Sequence, residues 1–177
     1  MPGLLSRLVR LLSPRTRAGR TTAASGNNAD TRAEQPRHPE TTPEYPGDYR
    51  GTPRMEWAAD ADGRPDPGEV VWAWVPFEED YSRGKDRPVL LIGRDGPWLL
   101  GLQLTSQDHD RDADQERRAG REWVDIGSGE WDRKGRPSDA RVNRILRVDP
   151  EAIRREGSIL DRDVFERVAR AVQAQHD

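Results

Sequence analysis

The chain has 177 residues, enough for one domain and a tail. With 33% hydrophobic against 34% charged residues it cannot fill one compact core over its whole length, so the apolar residues must be concentrated in part of it. It has no cysteine, which excludes disulfides and thiolate metal sites and permits a reducing compartment, and its net charge of −3 does not advertise nucleic acid as a partner. No stretch approaches the roughly 20 apolar residues that span a bilayer. Residues 1–66 carry ten Lys/Arg against nine Asp/Glu, so the net negative charge belongs to residues 67–177.

Residues 1–20 hold five Arg and no acid, and Leu4, Leu8, Leu11 and Leu12 share one helical face. This reads as a short basic amphipathic leader ended by Pro14. Arg7 and Arg10 interrupt its apolar run, which argues against a secretory signal. Three readings stay open: a weak membrane-surface anchor, a partly helical leader without a target, which is the plainer reading, or residues added by an upstream start codon. Residues 21–66 are rich in Pro, Thr, Ala, Gly and Asn without apolar periodicity, and read as a disordered linker that buries too little to offset its ordering entropy. Met55 and Trp57 are isolated apolar residues within it.

At Pro67 the texture changes. Residues 68–76 form a β-branched and aromatic run with both faces apolar, as a central strand requires. Residues 87–93 form a second such run and 98–105 a third, with Arg94, Asp95, Gly96 and Pro97 between them as a tight turn. Together, residues 87–105 read as a hairpin. Gly101 within it marks a bulge or a close backbone approach. Residues 106–120 are a charged loop in which Asp108, Asp110, Asp112, Asp114 and Glu116 face only Arg111 up to position 116. Strands follow at 121–126 and 140–148, with a Gly-, Lys- and Arg-rich loop between. Pro150 opens a short helix expected over 150–156 and stopped by Gly157. A final helix over about 162–175, with Asp161 and Asp163 as caps, presents Val164, Val168, Ala171 and Val172 to the core, with Phe165 alongside. Strands first and a helix last predict a mainly β fold, a small curled barrel with a C-terminal helix behind a long disordered tail.

Four features in order resemble the PemK/MazF family of toxins. Gly68-Glu69-Val70-Val71-Trp72 opens the first strand. Gly84-Lys85-Asp86-Arg87-Pro88 precedes four apolar residues, Val89 to Ile92. Leu104-Thr105-Ser106 ends the next strand. Arg141-Val142-Asn143-Arg144-Ile145, then Val148-Asp149, precedes the last helix. The resemblance covers about 110 residues and implies an SH3-like barrel, usually a homodimer. It further implies metal-independent cleavage of single-stranded RNA in the cytoplasm, without a cofactor, and inhibition by a cognate antitoxin protein. DNA would be met only through the complex with that antitoxin.

RNA needs no metal for cleavage, because its own 2′-hydroxyl can attack the adjacent phosphorus while the protein stabilises the developing charge. Arg87, always charged and able to grip a phosphate with two bonds, is the leading catalytic candidate. Its alternative role is a strand-edge Arg paired with Asp86 or Glu79. Thr105 and Ser106 end the partner strand, where hairpin pairing sets position 87 near 104 or 105 and so brings Arg87 and Thr105 together. They either bond a phosphate oxygen or satisfy backbone at a strand end. Arg141 completes the catalytic set. Asn143 shares a strand face with it and stands where some members carry an Asp. Asn cannot take a proton at neutral pH, so it reads a base edge or orients the 2′-hydroxyl. Lys85, Arg144, Gln107 and His109 are the further substrate-binding candidates, a loop His being more often simply solvated. Arg83, Arg133, Lys134, Arg136 and Arg147 add to a local basic surface in a net-acidic domain. Two other functions remain on the same fold: a catalytically silent module that binds nucleic acid or protein, and a gyrase-poison-like inhibitor, which the Arg-Pro and Thr-Ser pairs disfavour.

Overall fold

The computed structural model describes residues 44–106 and 120–176. The leader at 1–20, the first part of the expected linker, Gln107 and His109 lie outside the described residues.

The apolar runs form the expected strands. β1 (Glu69–Pro76), β2 (Gly84–Asp95) and β3 (Trp98–Ser106) make an antiparallel meander. The β2–β3 turn is made by Gly96, at φ 59°, and Pro97, flanked by the pair Asp95 and Trp98. At Gly101 the bulge and the close approach coincide. The register slips between Leu91 and Gly93, and a Cβ at Gly101 would lie 2.4 Å from a methyl of Val89. β4 (Trp123–Gly127), β5 (Ser138–Arg141), β6 (Leu146–Val148) and β7 (Arg155–Ile159) complete the order β4-β5-β3-β2-β1-β7, with β6 also on β3. β3 is therefore shared along its length: Leu99–Gly101 pair with β6, and Leu104–Ser106 with β5. That fork curls the sheet into a half-barrel.

Both faces are buried at Val70 and Val71 of β1 and at Val89–Ile92 of β2, as their continuous apolar runs require. Val70, Leu90 and Ile92 join a larger core with Leu100, Leu102, Leu104 and Ile145, closed by Phe165, Val168 and Val172 of α1 (Arg162–His176). Val71, Ala73, Val75, Val89 and Leu91 form a second cluster with Leu146 and Val148.

Three expectations are corrected. The run 140–148 is not one strand. It turns at Val142–Arg144, because Val142 and Ile145 both enter the larger core while Leu146 and Val148 serve the second cluster, which no period-two strand can do. The helix expected over 150–156 is a single 3₁₀ turn, Pro150–Ala152, with the Asp149 side chain accepting from the Glu151 amide (3.0 Å). The chain then extends as β7, which covers the outer edge of β1.

The third correction concerns the linker. Residues 44–66 run along the barrel as a strap. Tyr49 bridges to Ile145 and Met55 to Gly93, while the Trp57 indole donates to the Leu160 carbonyl (3.0 Å) and the Thr52 hydroxyl to that of His176 (2.9 Å). A Cβ at Gly93 would lie 2.4 Å from the Arg54 carbonyl oxygen, so glycine there lets the strap pass. The strap makes single bridges rather than a ladder, and such contacts need no apolar periodicity.

Candidate active site

The β2–β3 hairpin sets Val89 opposite Gln103. Two residues further along each strand, Arg87 and Thr105 line one cleft of about 340 Å³, with Lys85, Ser106, Trp72, Trp131 and Arg136. On its other side Arg87 lines a smaller cleft of about 170 Å³ with Arg141, Arg144, Glu78 and Arg121. Arg87 thus joins the two groups of candidates: Lys85, Thr105 and Ser106 on one side, Arg141 and Arg144 on the other.

Their electrostatic states differ. Arg141 is buried and locked, its guanidinium donating twice to the Glu78 carboxylate (2.9 and 3.3 Å) and once to the Asn143 side-chain oxygen (3.0 Å). Asn143 in turn donates to the Gly120 carbonyl. The turn at 142–144 brings Arg141 and Asn143 together, in place of the strand alternation expected for them. Arg144 is also buried and forms two bonds to Asp48 of the strap (2.8 and 3.2 Å). Burial pushes its guanidinium down, but the bond and charge of Asp48 outweigh that and leave it above the usual Arg value.

Arg87 has no such partner. Asp86, one of the two acids that sequence proximity offers it, pairs with Arg154 (3.4 Å). Among the described residues Arg87 makes no ion pair. Burial first, and the charge of Arg144 second, hold its guanidinium below the ordinary Arg value. The carboxylates that share its two clefts and whose partners are described are engaged elsewhere, Asp86 by Arg154, Asp132 by Arg136 and Glu78 by Arg141.

Two carboxylates nearby, Asp132 and Glu78, are held in the ionised form. The Arg136 guanidinium, with the Arg136 and Lys134 amides, lowers Asp132 from 3.8 to about 2. The Arg141 hydrogen bond keeps Glu78 below the usual carboxylate range, against the opposing effect of burial. Neither accepts a proton near neutrality. Both pKa values are depressed in the folded state, so the stability they contribute is present above the unfolded pKa and is lost as pH falls. Asp132 loses its share between about 3.8 and about 2, and the loss from Glu78 begins below 4.5. Urea midpoints should therefore be flat above pH 5 and fall below it, with a smaller fall in Asp132→Asn across that lower window.

Sequence reading missed Asp48 and Glu78 as the partners of Arg144 and Arg141. It also missed Trp72 and Trp131 as cleft walls; the Trp72 indole donates to the Trp131 carbonyl (3.2 Å). Among the described residues no three His, Cys, Asp or Glu side chains gather as a metal-binding group, and no helix is long and apolar enough to cross a membrane.

The family model for PemK-like, MazF-like toxins of type II toxin–antitoxin systems matches residues 66–176. The chain belongs to this family. No curated protein matches it significantly. Toxins of this family pair with an antitoxin and are generally endoribonucleases acting on RNA. The match begins at the last residue of the strap, so nearly all of the strap lies outside what the family model covers.

Proposed function

We propose that this PemK-like toxin is an endoribonuclease that cleaves single-stranded RNA by attack of its 2′-hydroxyl on the adjacent phosphorus. The reading rests above all on Arg87, a desolvated cation without an ion-pair partner among the described residues, in a cleft shared with Thr105 and Ser106. The bond from the 2′-oxygen to phosphorus forms as the bond to the 5′-oxygen breaks. The 2′-hydroxyl gives up a proton to solvent, and the departing 5′-oxygen gains one. The products are a 2′,3′-cyclic phosphate and a free 5′-hydroxyl. Arg87 stabilises the charge that builds on the phosphoryl oxygens, and the Thr105 and Ser106 hydroxyls orient the same group. Lys85 attracts the strand, and Arg141, held in place by Glu78, is the further group offered to the phosphate from the cleft on the other side of Arg87. Asn143, bonded to Arg141 and Gly120, positions that Arg rather than moving a proton. A homodimer built through the barrel, a cognate antitoxin and a cytoplasmic site of action complete the proposal.

A second reading has one observation in its favour. Asp132 and Glu78, which line the described clefts, are both held ionised and so are poor bases near neutrality, and no imidazole lines these clefts, as a silent binding barrel would show. The two separate in one experiment. The purified protein, incubated in EDTA with a mixed-sequence single-stranded RNA, should yield fragments ending in 2′,3′-cyclic phosphate. Tight RNA or protein binding without any fragment would favour the silent barrel.

A further inference from the structure

Beside the Arg87 cleft lies a wider one of about 540 Å³, lined by Trp72, Asp86, Asp132, Arg133, Lys134, Arg136 and Arg154. It shares Trp72, Asp86, Asp132 and Arg136 with the Arg87 cleft, so the two form a continuous groove. One wall is half-buried Trp72, whose ring orientation is fixed by its bond to the Trp131 carbonyl. The other is a ledge, residues 129–136, organised around Asp132. The Asp132 carboxylate binds the Lys134 and Arg136 amides and the Arg136 guanidinium. The Asp132 amide donates to the Gly129 carbonyl (3.1 Å), and the Asp132 carbonyl accepts from the Gly135 amide (2.8 Å). Trp131 anchors the ledge from below, its indole donating to the Ser138 hydroxyl (3.0 Å).

Charge in this groove is uneven in its availability. Its two carboxylates are occupied, Asp86 by Arg154 and Asp132 by Arg136. Arg133 and Lys134 are exposed at the rim and make no ion pair among the described residues. A held aromatic ring and two available cations lining one groove are the combination that holds a nucleotide of a single strand: the base stacks and the phosphate meets the cations. Because the ledge backbone is already ordered by its own hydrogen bonds, binding has only the Arg133 and Lys134 side chains left to order there.

We propose that this groove is a second nucleotide subsite of the RNA strand, its base stacking on Trp72 and its phosphate held by Arg133 and Lys134. The proposal builds on the ribonuclease reading, in that the same strand presents its scissile phosphate to Arg87. Stacking on an aromatic face tolerates any base, so the subsite supplies affinity and register more than sequence choice.

The test uses the full chain and a mixed-sequence 2′-O-methyl RNA, which lacks the attacking hydroxyl and measures binding without cleavage. Replacing both cations (Arg133→Ala with Lys134→Ala) should weaken binding roughly tenfold and reduce the salt slope of log affinity by about 0.7, the value for one lost phosphate contact on a single strand. Trp72→Leu should weaken binding by a similar factor and Trp72→Phe by much less. Because Trp72 also belongs to β1, the exposed double variant decides the matter if the Trp72 variants fail to fold. Unchanged affinity and salt slope in the double variant would overturn the subsite. If the wild type binds this RNA through Arg133 and Lys134 yet cuts no natural RNA, the subsite stands and the ribonuclease reading falls. Cleavage with no effect of the ledge variants gives the reverse, and neither binding nor cleavage sinks both.

Discussion

Arg87→Ala is expected to lower the rate of RNA cleavage by roughly a hundredfold or more while leaving the protein folded and no less stable. The two halves of this expectation have one cause. A cation that the fold has partly desolvated, next to a second cation, costs folding free energy that no described internal partner returns. Removing it relieves that cost, so thermal stability should hold or rise. The same desolvation makes the cation effective once a phosphate arrives, because a charge that is already stripped of water interacts strongly with charge that appears in the transition state. Arg87→Lys retains the charge but loses the planar fork, and should recover only part of the rate. Ordinary structural arginines behave oppositely: their loss lowers stability. A variant that cut as fast as the wild type would assign the cleavage to a contaminating nuclease, and one that lost stability along with activity would make Arg87 a structural residue.

The parts of the fold legible in the sequence are those governed by local pattern. The hairpin 87–105 follows from two apolar runs and a turn with glycine, and its register alone brings Arg87 and Thr105 into one cleft. The last helix follows from its 3.6-residue period, and Phe165, Val168 and Val172 are buried as that period requires. The breaks at 142–144 and 150–155 were not legible. There the chain chooses between two cores and one open sheet edge, all three built largely by residues far away in sequence. The strap was hidden for the same reason. Its ion pair to Arg144 joins residues 96 positions apart, and a lone Asp in a Pro-rich stretch carries no mark of its partner. Arg141 shows the limit within the site itself. Only the family resemblance set it beside Arg87, and nothing in the sequence shows that Glu78, 63 positions away, holds it.

The strap leads to a second large effect. A chain beginning at residue 67, where the apolar texture starts, should be much less stable than one beginning at residue 44. The decisive contact is Asp48 with Arg144. Arg144 is 6% exposed, and its guanidinium is compensated by two bonds to Asp48, whose carboxylate also accepts from the Tyr45 hydroxyl (2.5 Å). Burial and the adjacent carboxylate push that hydroxyl far above its usual pKa, so Tyr45 remains a neutral donor at any ordinary pH. Removing one partner of a buried pair leaves an uncompensated charge and costs about 3–5 kcal/mol. Against a total stability of about 5–15 kcal/mol, that loss alone brings a domain near its threshold. Truncation also strips Tyr49, Met55 and Trp57 from the larger core they pack against. Asp48→Ala in the full chain isolates the charge from the packing and should cost about 3–5 kcal/mol in urea unfolding. Adding Arg144→Met should restore most of it, since the charge then leaves with its partner. Recovery by the double variant separates this account from simple loss of strap contacts, which Arg144→Met cannot replace. If the chain starting at residue 67 unfolds at the same urea concentration as the one starting at residue 44, the strap is not part of the folded domain and the buried pair does not stabilise it.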